Sequence, residues 1–401
     1  MNITLIPPSQ FHACVSLPPS KSVASRVMII RSLMNGKFSI DRMPDCDDIK
    51  ALNDAIIAVE STKTSNLNIG GAGTAMRFLT ALLAAKEGEY VIDGNERMRQ
   101  RPIGELVTAL KSLGADITYL GNEGFPPLRI SGKRLQGGRV EMRGDISSQF
   151  VSALLMIGTT MTQGLEIRLT TKISSRPYID LTLDVMRDFG AKVTWKGIDT
   201  LAVEPTPYLY KGDSYAIEDD WTAASYWFGM QYMSTNGQKS PVFSSFLTKN
   251  RQGDSIIPQL FEQLREDGVF EFDFTDNPDL VQTMVVCCCA TEKSFRFTGL
   301  KSLRIKETDR IVALQKELGK CGYNISVESD KISYDASVAT LTQKPKSVAI
   351  DTYGDHRMAM AFAMLSLKIP GLTINDAEVV SKSYPTFWED LRKSGFEVRV
   401  V

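Results

Sequence analysis

Two histidines and six cysteines are all that 401 residues offer toward metal or thiol chemistry. With only His12 and His356, and no Cys-x-x-Cys pair, a His-rich metal site is excluded and no metal is expected. Cys287, Cys288 and Cys289 are consecutive within the apolar run 284–290, the pattern of small core residues rather than of a disulfide framework. No run approaches the roughly 18 apolar residues of a membrane span. Residues 1–8 lack both a basic segment and a long apolar one, so no secretory leader is expected and a reducing cytoplasm is the default location. Charge of one sign is missing too. The 46 Lys and Arg nearly cancel the 47 Asp and Glu, which argues against nucleic-acid or membrane partners while permitting a local basic cleft.

What is present is an ordinary globular balance, 43% apolar and 23% charged, enough for two domains of about 200 residues. One pattern recurs: an amphipathic helix, a glycine, a short alternating strand. Ile103, Leu106, Val107, Leu110 and Leu113 share a helical face before Gly114, and Ile117 begins the alternation that follows. The same signature ends at Gly190, Gly268, Gly322 and Gly395, at intervals of 76, 78, 54 and 73 residues. Each glycine is expected just past a helix end in the left-handed region. A weaker sixth helix, from Asp47 to Val59, lacks the glycine. The spacing is too long for a solenoid; it fits six α/β units, three per domain, with a crossover near Asp219-Asp220-Trp221.

Six segments gather small residues, hydroxyls and cations. Pro18-Pro19-Ser20-Lys21-Ser22, with Arg26 one turn later, sets a Ser/Lys pair at a loop-to-helix transition. Backbone N–H groups and the helix dipole favour an anion there, although a solvated helix start would use the same residues. Gly70-Gly71-Ala72-Gly73-Thr74-Ala75-Met76-Arg77 lets backbone approach a ligand closely. It lacks the Gly-Lys-Ser/Thr ending of a Walker loop, and a tight turn is the alternative. Met98-Arg99-Gln100-Arg101-Pro102 is expected to open the next helix with cations, against the macrodipole. Ser147-Ser148-Gln149 and Ser174-Ser175-Arg176-Pro177-Tyr178 offer hydroxyls, an amide and a cation to a polyhydroxylated, phosphorylated ligand, or simply cap helices. Lys306 and Arg310 are expected four apart on one helix face with Glu307 beside them, as in an ion-pair ladder. Gly354-Asp355-His356-Arg357-Met358-Ala359-Met360 opens a short apolar helix, and Lys382 precedes the last one. Lys21, Arg26, Arg101, Arg176, Lys306, Arg310, Arg357 and Lys382 thus recur at the starts of units. If equivalent ends face inward, they form a positive cleft for small anions, two phosphates among them.

These segments, in this order from residue 17 to the C-terminus, resemble the 5-enolpyruvylshikimate-3-phosphate synthases. The resemblance implies a two-domain inside-out α/β barrel, each domain three βαβαββ repeats. It implies a discontinuous domain of residues 1–16 plus 218–401 on the phosphoenolpyruvate side, and a domain of residues 17–217 on the shikimate-3-phosphate side, closing like jaws. It implies transfer of the enolpyruvyl group of phosphoenolpyruvate to the 5-hydroxyl of shikimate-3-phosphate, with release of phosphate, by a monomer without metal or cofactor. Lys21, Ser22, Arg26, Ser147, Ser148, Gln149, Ser175, Tyr178, Asp279 and Lys306 would contact shikimate-3-phosphate. Lys21, Gly73, Arg101, Gln149, Arg310, Arg357 and Lys382 would contact phosphoenolpyruvate. Asp279 would take the hydroxyl proton, and Glu307 or Lys382 would protonate C3 of phosphoenolpyruvate. Lys21 is the fourth catalytic candidate, as a cation offsetting charge at the reacting centre.

The chain departs from the family pattern at Gly71 and Ser302, where Asn is common, and at Phe78, where Pro is. Two other readings remain. UDP-N-acetylglucosamine enolpyruvyl transferases have Lys-Asn where Lys21-Ser22 stands and usually a reactive Cys before their Arg-Pro equivalent, whereas no Cys lies between Cys46 and Cys287 here. A non-catalytic scaffold of the same fold would show a degraded cluster, yet every cation and carboxylate named above is present.

Overall fold

A computed structural model describes residues 1–34, 38–62, 64–235, 237, 239–244, 249–338, 345 and 347–401. The chain divides into two compact units, Pro19–Glu218 and the pair Met1–Pro18 with Asp219–Val401.

The unit Pro19–Glu218 holds helices α1 (Lys21–Leu33), α2 (Asp47–Ser61), α3 (Gly73–Ala85), α4 (Gly104–Ser112), α5 (Ser148–Gly158) and α6 (Arg176–Asp188). Strand Thr64–Asn68 leads through α3 to a parallel neighbour, Gly88–Asp93; α4 follows, and the hairpin Asp116–Tyr119 with Leu128–Gly132 completes an antiparallel edge. The stretch from Gly138–Met142 through α5, Leu165–Leu169, α6 and the hairpin Val193–Trp195 with Thr200–Val203 repeats that topology strand for strand. A third copy keeps α1, α2 and only the parallel pair Ser39–Asp41 with Ser214–Ala216.

The unit built from both chain ends holds α7 (Trp221–Thr235), α8 (Ile257–Leu264), α9 (Val281–Ala290), α10 (Arg310–Lys320), α11 (His356–Ala363) and α12 (Phe387–Lys393). The sheet Phe270–Asp273, Phe295–Thr298, Lys331–Tyr334, Ser326–Val327 follows the same order. So does Ala349–Ile350, Leu372–Ile374, Ile3–Ile6, Glu397–Val400, in which the N-terminal strand fills the third place with Ile3 opposite Ile374. The third copy again keeps only a parallel pair, Cys14–Val15 with Val242–Phe243. The sheets stay separate and do not close into a continuous barrel.

Burial assigns the layers. α3, α5, α7, α9 and α11 are buried on nearly every side, as is the middle of α1 from Val23 to Ile30. Such helices belong inside a core. Second helices of each copy, such as α4 and α10, bury one stripe. Strands alternate buried and exposed residues, so one face of each sheet meets solvent. Cys287, Cys288 and Cys289 sit in α9, where burial pushes their thiols up. Gly114, Gly190, Gly268, Gly322 and Gly395 all take φ between 75° and 97° after a second helix. The short interval between Gly268 and Gly322 has a direct cause: among the described residues the copy that ends in α8 shows no hairpin like those of the complete copies.

Candidate functional site

In this repeat each parallel strand runs into a helix, so the strand-to-helix connections lie at the carboxyl ends of the parallel pair, where open α/β sheets bind ligands. Residues 69–73, 94–103, 143–148 and 170–176 are such connections in the Pro19–Glu218 unit. Gly73, Arg101, Ser147 with Ser148, and Ser175 lie on them.

Gly73 opens α3 with no cap side chain, since Ala72 stands at the N-cap. Its missing Cβ is a matter of space. A Cβ there would sit 2.8 Å from Arg101 Cζ and Nη2 and nearer still to Nη1, so the Arg101 guanidinium lies flat on the glycine. Arg77 fixes this approach by donating to the Gly73 carbonyl at 3.0 Å and the Pro102 carbonyl at 3.2 Å. Arg101 is 7% exposed, and its side chain has no hydrogen-bond or ion-pair partner among the described residues. A guanidinium so placed is a ready partner for a carboxylate or phosphate.

Ser147 caps α5 through Gln149 N, and the Gln149 amide donates to Thr74 Oγ1 at 3.0 Å, joining the starts of α5 and α3. Ser175 precedes α6 at φ 58°, a left-handed conformation that non-glycine residues adopt at a cost. Arg26 lies beneath. Its Nε donates to Thr182 Oγ1 at 2.7 Å, Nη1 to the Ser22 carbonyl at 2.7 Å, and Nη2 to the Tyr178 carbonyl at 3.0 Å and Ser152 Oγ at 3.3 Å. These bonds tie α1, α5 and α6 together near their N-termini. Among the described residues Arg26 has no carboxylate partner, and burial pulls its guanidinium down to about 10. The Phe78 ring stands 5.4 Å from its Cζ, so the departure from the family's proline supplies a π face to a buried cation. Lys21 pairs with Asp48 at 2.7 Å, and Arg176 lies over the Trp195 ring at 4.3 Å.

In the other unit the same kind of connection gathers carboxylates around Arg310. Arg310 is 1% exposed. Its Nε donates to Asp355 Oδ2 at 2.7 Å, Nη1 to Asp279 Oδ1 at 3.0 Å and Nη2 to Glu307 Oε2 at 3.0 Å. Burial works to lower the guanidinium, but Asp355, Glu307 and Asp279 outweigh it and hold it above its usual value. Asp279 Oδ2 accepts from Arg357 Nη2 at 2.8 Å, so two guanidinium groups anchor its two oxygens. Asp355 also caps α11 through Arg357 N. Lys382 donates to the Gly354 carbonyl at 2.9 Å.

Two local expectations are corrected. α10 begins at Arg310 with Asp309 as its cap, and Lys306 and Glu307 lie in the turn before it, so Lys306 and Arg310 do not share a helix face. Asp309 accepts the Ile311 and Val312 N–H groups, which starts the helix there. Likewise Arg101 lies in extended backbone three residues before α4, where it opposes no helix dipole. Sequence reading missed Asp355 and Asp48 as partners of Arg310 and Lys21. Asp355 had a signal, an Asp before an apolar helix; Asp48, on the first turn of α2, had none. It also missed Asp254, 2% exposed, whose Oδ2 meets Thr222 Oγ1 at 2.5 Å. Burial, and then the charge of Asp279, push the Asp254 carboxyl up to about 7.

Comparison with known proteins gives a consistent result. The family model described as EPSP synthase (3-phosphoshikimate 1-carboxyvinyltransferase) matches residues 55–391. A curated 3-phosphoshikimate 1-carboxyvinyltransferase of Bacteroides fragilis (strain YCH46) is 44% identical over 418 residues, covering 100% of this chain and 99% of its own. One from Aliivibrio fischeri (strain ATCC 700601 / ES114) is 33% identical over 430 residues, covering 98% and 99%. Among solved structures, an EPSP synthase from Acinetobacter baumannii superposes with a TM-score of 0.76 at 20% identity, covering 100% of both chains, a likeness of fold.

Proposed function

The chain belongs to the EPSP synthase family, the 3-phosphoshikimate 1-carboxyvinyltransferases, and we propose that the side chains around Arg101 and around Arg310 carry its reaction. That reaction moves the enolpyruvyl group of phosphoenolpyruvate to the 5-hydroxyl of shikimate-3-phosphate and releases phosphate, on the shikimate route to chorismate and the aromatic amino acids.

The observation that carries the site assignment is Arg101, 7% exposed, whose side chain finds no acceptor among the described residues. A guanidinium so enclosed, with its donors uncommitted, gains a charge-assisted pair when an anionic substrate arrives. Phosphoenolpyruvate, with a carboxylate and a phosphate, is assigned to Arg101, Gly73, Gln149, Lys21, Arg310, Arg357 and Lys382. Shikimate-3-phosphate is assigned to Lys21, Ser22, Arg26, Ser147, Ser148, Gln149, Ser175, Tyr178, Asp279 and Lys306. Arg26 serves it chiefly by holding three helix starts in place.

Asp279, anchored at both oxygens, takes the proton of the 5-hydroxyl as that oxygen attacks C2 of phosphoenolpyruvate. C3 takes a proton in the same addition. Glu307 accepts a hydrogen bond from Arg310, an arrangement that favours the carboxylate. Lys382, held by the Gly354 carbonyl, is assigned the C3 proton, with Glu307 orienting Arg310. Lys21, Arg101, Arg310, Arg357 and Lys382 offset the substrate charges and assist departure of phosphate, as C3 gives one proton back to Lys382 and the double bond re-forms. The enzyme is read as a cytoplasmic monomer; among the described residues no helix is long and apolar enough to cross a membrane. The test is phosphate release from phosphoenolpyruvate with each acceptor. Shikimate-3-phosphate supports it, UDP-N-acetylglucosamine does not, and Asp279→Asn lowers kcat by about 10²- to 10⁴-fold with little change in KM. Parental turnover in Asp279→Asn removes Asp279 as the base.

A further inference from the structure

The connection between strand Ala349–Ile350 and α11 carries Asp355 and Arg357, and its Gly354 carbonyl receives Lys382. It is bent against its preference. Tyr353 has φ 55° and Gly354 φ 65°. A bulky residue in the left-handed region is strained and persists only where surrounding structure over-determines it.

One buried side chain supplies that constraint. Glu317, on α10 two turns after Arg310, is 0% exposed. Its Oε1 accepts the Tyr353 phenol at 2.5 Å, and its Oε2 accepts the Asp351 backbone N–H at 3.1 Å. A single carboxylate therefore grips the connection on both sides of Thr352. Lys320 balances it at 2.7 Å and reaches the Asp351 carboxylate at 2.8 Å. Burial first, then the bond to Glu317, push the Tyr353 phenol up, so it stays a donor at any pH the enzyme meets. The Lys316 ammonium, 5.6 Å from the centre of the Tyr353 ring, adds a further hold.

The consequence is geometric. α10 places Arg310 directly, at its first residue. Through Glu317 and Tyr353 the same helix places the connection that bears Arg357, the Asp355 carboxylate on Arg310, and the carbonyl that receives Lys382. We propose that the Glu317–Tyr353 hydrogen bond is a latch that sets Lys382 and Arg357 in register with Arg310, which makes Tyr353 and Glu317 positioning residues for phosphoenolpyruvate. The inference rests on the reading that Lys382 and Arg357 meet that substrate.

Tyr353→Phe tests it with little harm to the fold, because Glu317 keeps Lys320 and the Asp351 N–H. Steady-state phosphate release gives KM for each substrate and kcat; a thermal scan reports stability. Tyr353→Phe raises KM for phosphoenolpyruvate about 5- to 20-fold, less than the full loss of a charge-assisted contact because Lys382 and Arg357 are shifted rather than removed. It lowers kcat several-fold, leaves KM for shikimate-3-phosphate within about twofold, and moves the melting midpoint by only a few degrees. Glu317→Gln shifts the same constants in the same direction. A Tyr353→Phe enzyme with a lowered midpoint but parental constants reduces the latch to a fold contact and overturns the proposal. Lys382→Met, assayed alongside, separates the two ways to fail. Parental constants in Lys382→Met refute the assignment of Lys382 itself, whereas an impaired Lys382→Met beside a normal Tyr353→Phe refutes only the latch.

Discussion

Adding one methyl group at Gly73 should cost the enzyme much of its grip on phosphoenolpyruvate. Gly73 is the first residue of α3, so any residue could adopt its backbone conformation. What forbids a side chain is the Arg101 guanidinium, with Cζ and Nη2 both 2.8 Å from where the Cβ would stand. Carbon and nitrogen rest comfortably at about 3.5 Å, so something must retreat by most of an ångström. Arg77 decides what moves. By bonding both the Gly73 and Pro102 carbonyls it pins the two backbones at their present separation. The flexible Arg101 side chain therefore gives way, and its donors leave the position from which they reach an anion. A charge-assisted hydrogen bond contributes about 1.5–3 kcal/mol, so its loss raises KM for phosphoenolpyruvate by roughly 10- to 150-fold.

The assay is phosphate release with phosphoenolpyruvate varied at saturating shikimate-3-phosphate, then the reverse. In Gly73→Ala the first KM rises within that range, the second stays within about twofold, and the melting midpoint moves little. The mechanism makes a sharper demand on the double variant. If Gly73→Ala acts only by displacing Arg101, then Gly73→Ala with Arg101→Ala binds phosphoenolpyruvate no worse than Arg101→Ala alone. Fully additive losses would falsify the displacement argument and leave the methyl group acting on something else.

Other consequences follow from buried charge. Asp254 keeps its proton to about pH 7 in the fold, while an unfolded aspartate releases it near 3.8. Between those values the native state holds the extra proton, so its contribution to stability, complete below about pH 4, is lost as pH rises, by roughly 4 kcal/mol for a shift of this size. Asp254→Asn should flatten that slope in urea titrations across pH 4–8, and an unchanged slope would place the proton elsewhere. Phe78→Leu removes the ring facing Arg26, and a double-mutant cycle with Arg26→Met should give a coupling of about 1–2 kcal/mol; zero coupling would make Phe78 mere filler. Glu307→Gln, still able to accept from Arg310, should retain far more kcat than Lys382→Met, and the opposite ranking would return the C3 proton to Glu307.

Much of the site was legible because the repeat places its chemistry on continuous connections. Lys21-Ser22, Gly73-Thr74, Ser147-Ser148-Gln149 and Asp355-His356-Arg357 each lie within a few residues, so short strings identify them. The glycine after each second helix was legible for the same local reason, since only the helix end and its left-handed stop are involved. What the strings could not show is which group meets which. Arg101 meets Gly73, Arg357 meets Asp279 and Arg26 meets Thr182 across 28, 78 and 156 positions. The first depends on how two connections of one copy meet and the other two on how helices from different copies pack, and nothing local encodes either. The helix starts were misread at Arg101 and Lys306 because charge was weighed without the cap. Asp309 terminates the preceding turn more strongly than Lys306 or Glu307 can extend a helix through it.

The same division explains why the two incomplete copies are incomplete. Their parallel pairs join residues distant in sequence, Ile40 with Tyr215 and Val15 with Phe243. The N-terminal strand meanwhile completes a sheet whose other members begin at Ala349. A chain that enters one unit, builds all of the other and then returns must break a repeat at each passage. The breaks fall on the third and fourth strands, which carry none of the candidate residues. The parallel pair and its connections survive in all six copies, and those connections hold Lys21, Gly73, Arg101, Asp254, Asp279, Arg310, Arg357 and Lys382. The hairpin contributes apolar surface to a core that can be covered in other ways. The strand-to-helix connection orients donors and acceptors, and no other part of the repeat offers backbone at that end of the helix.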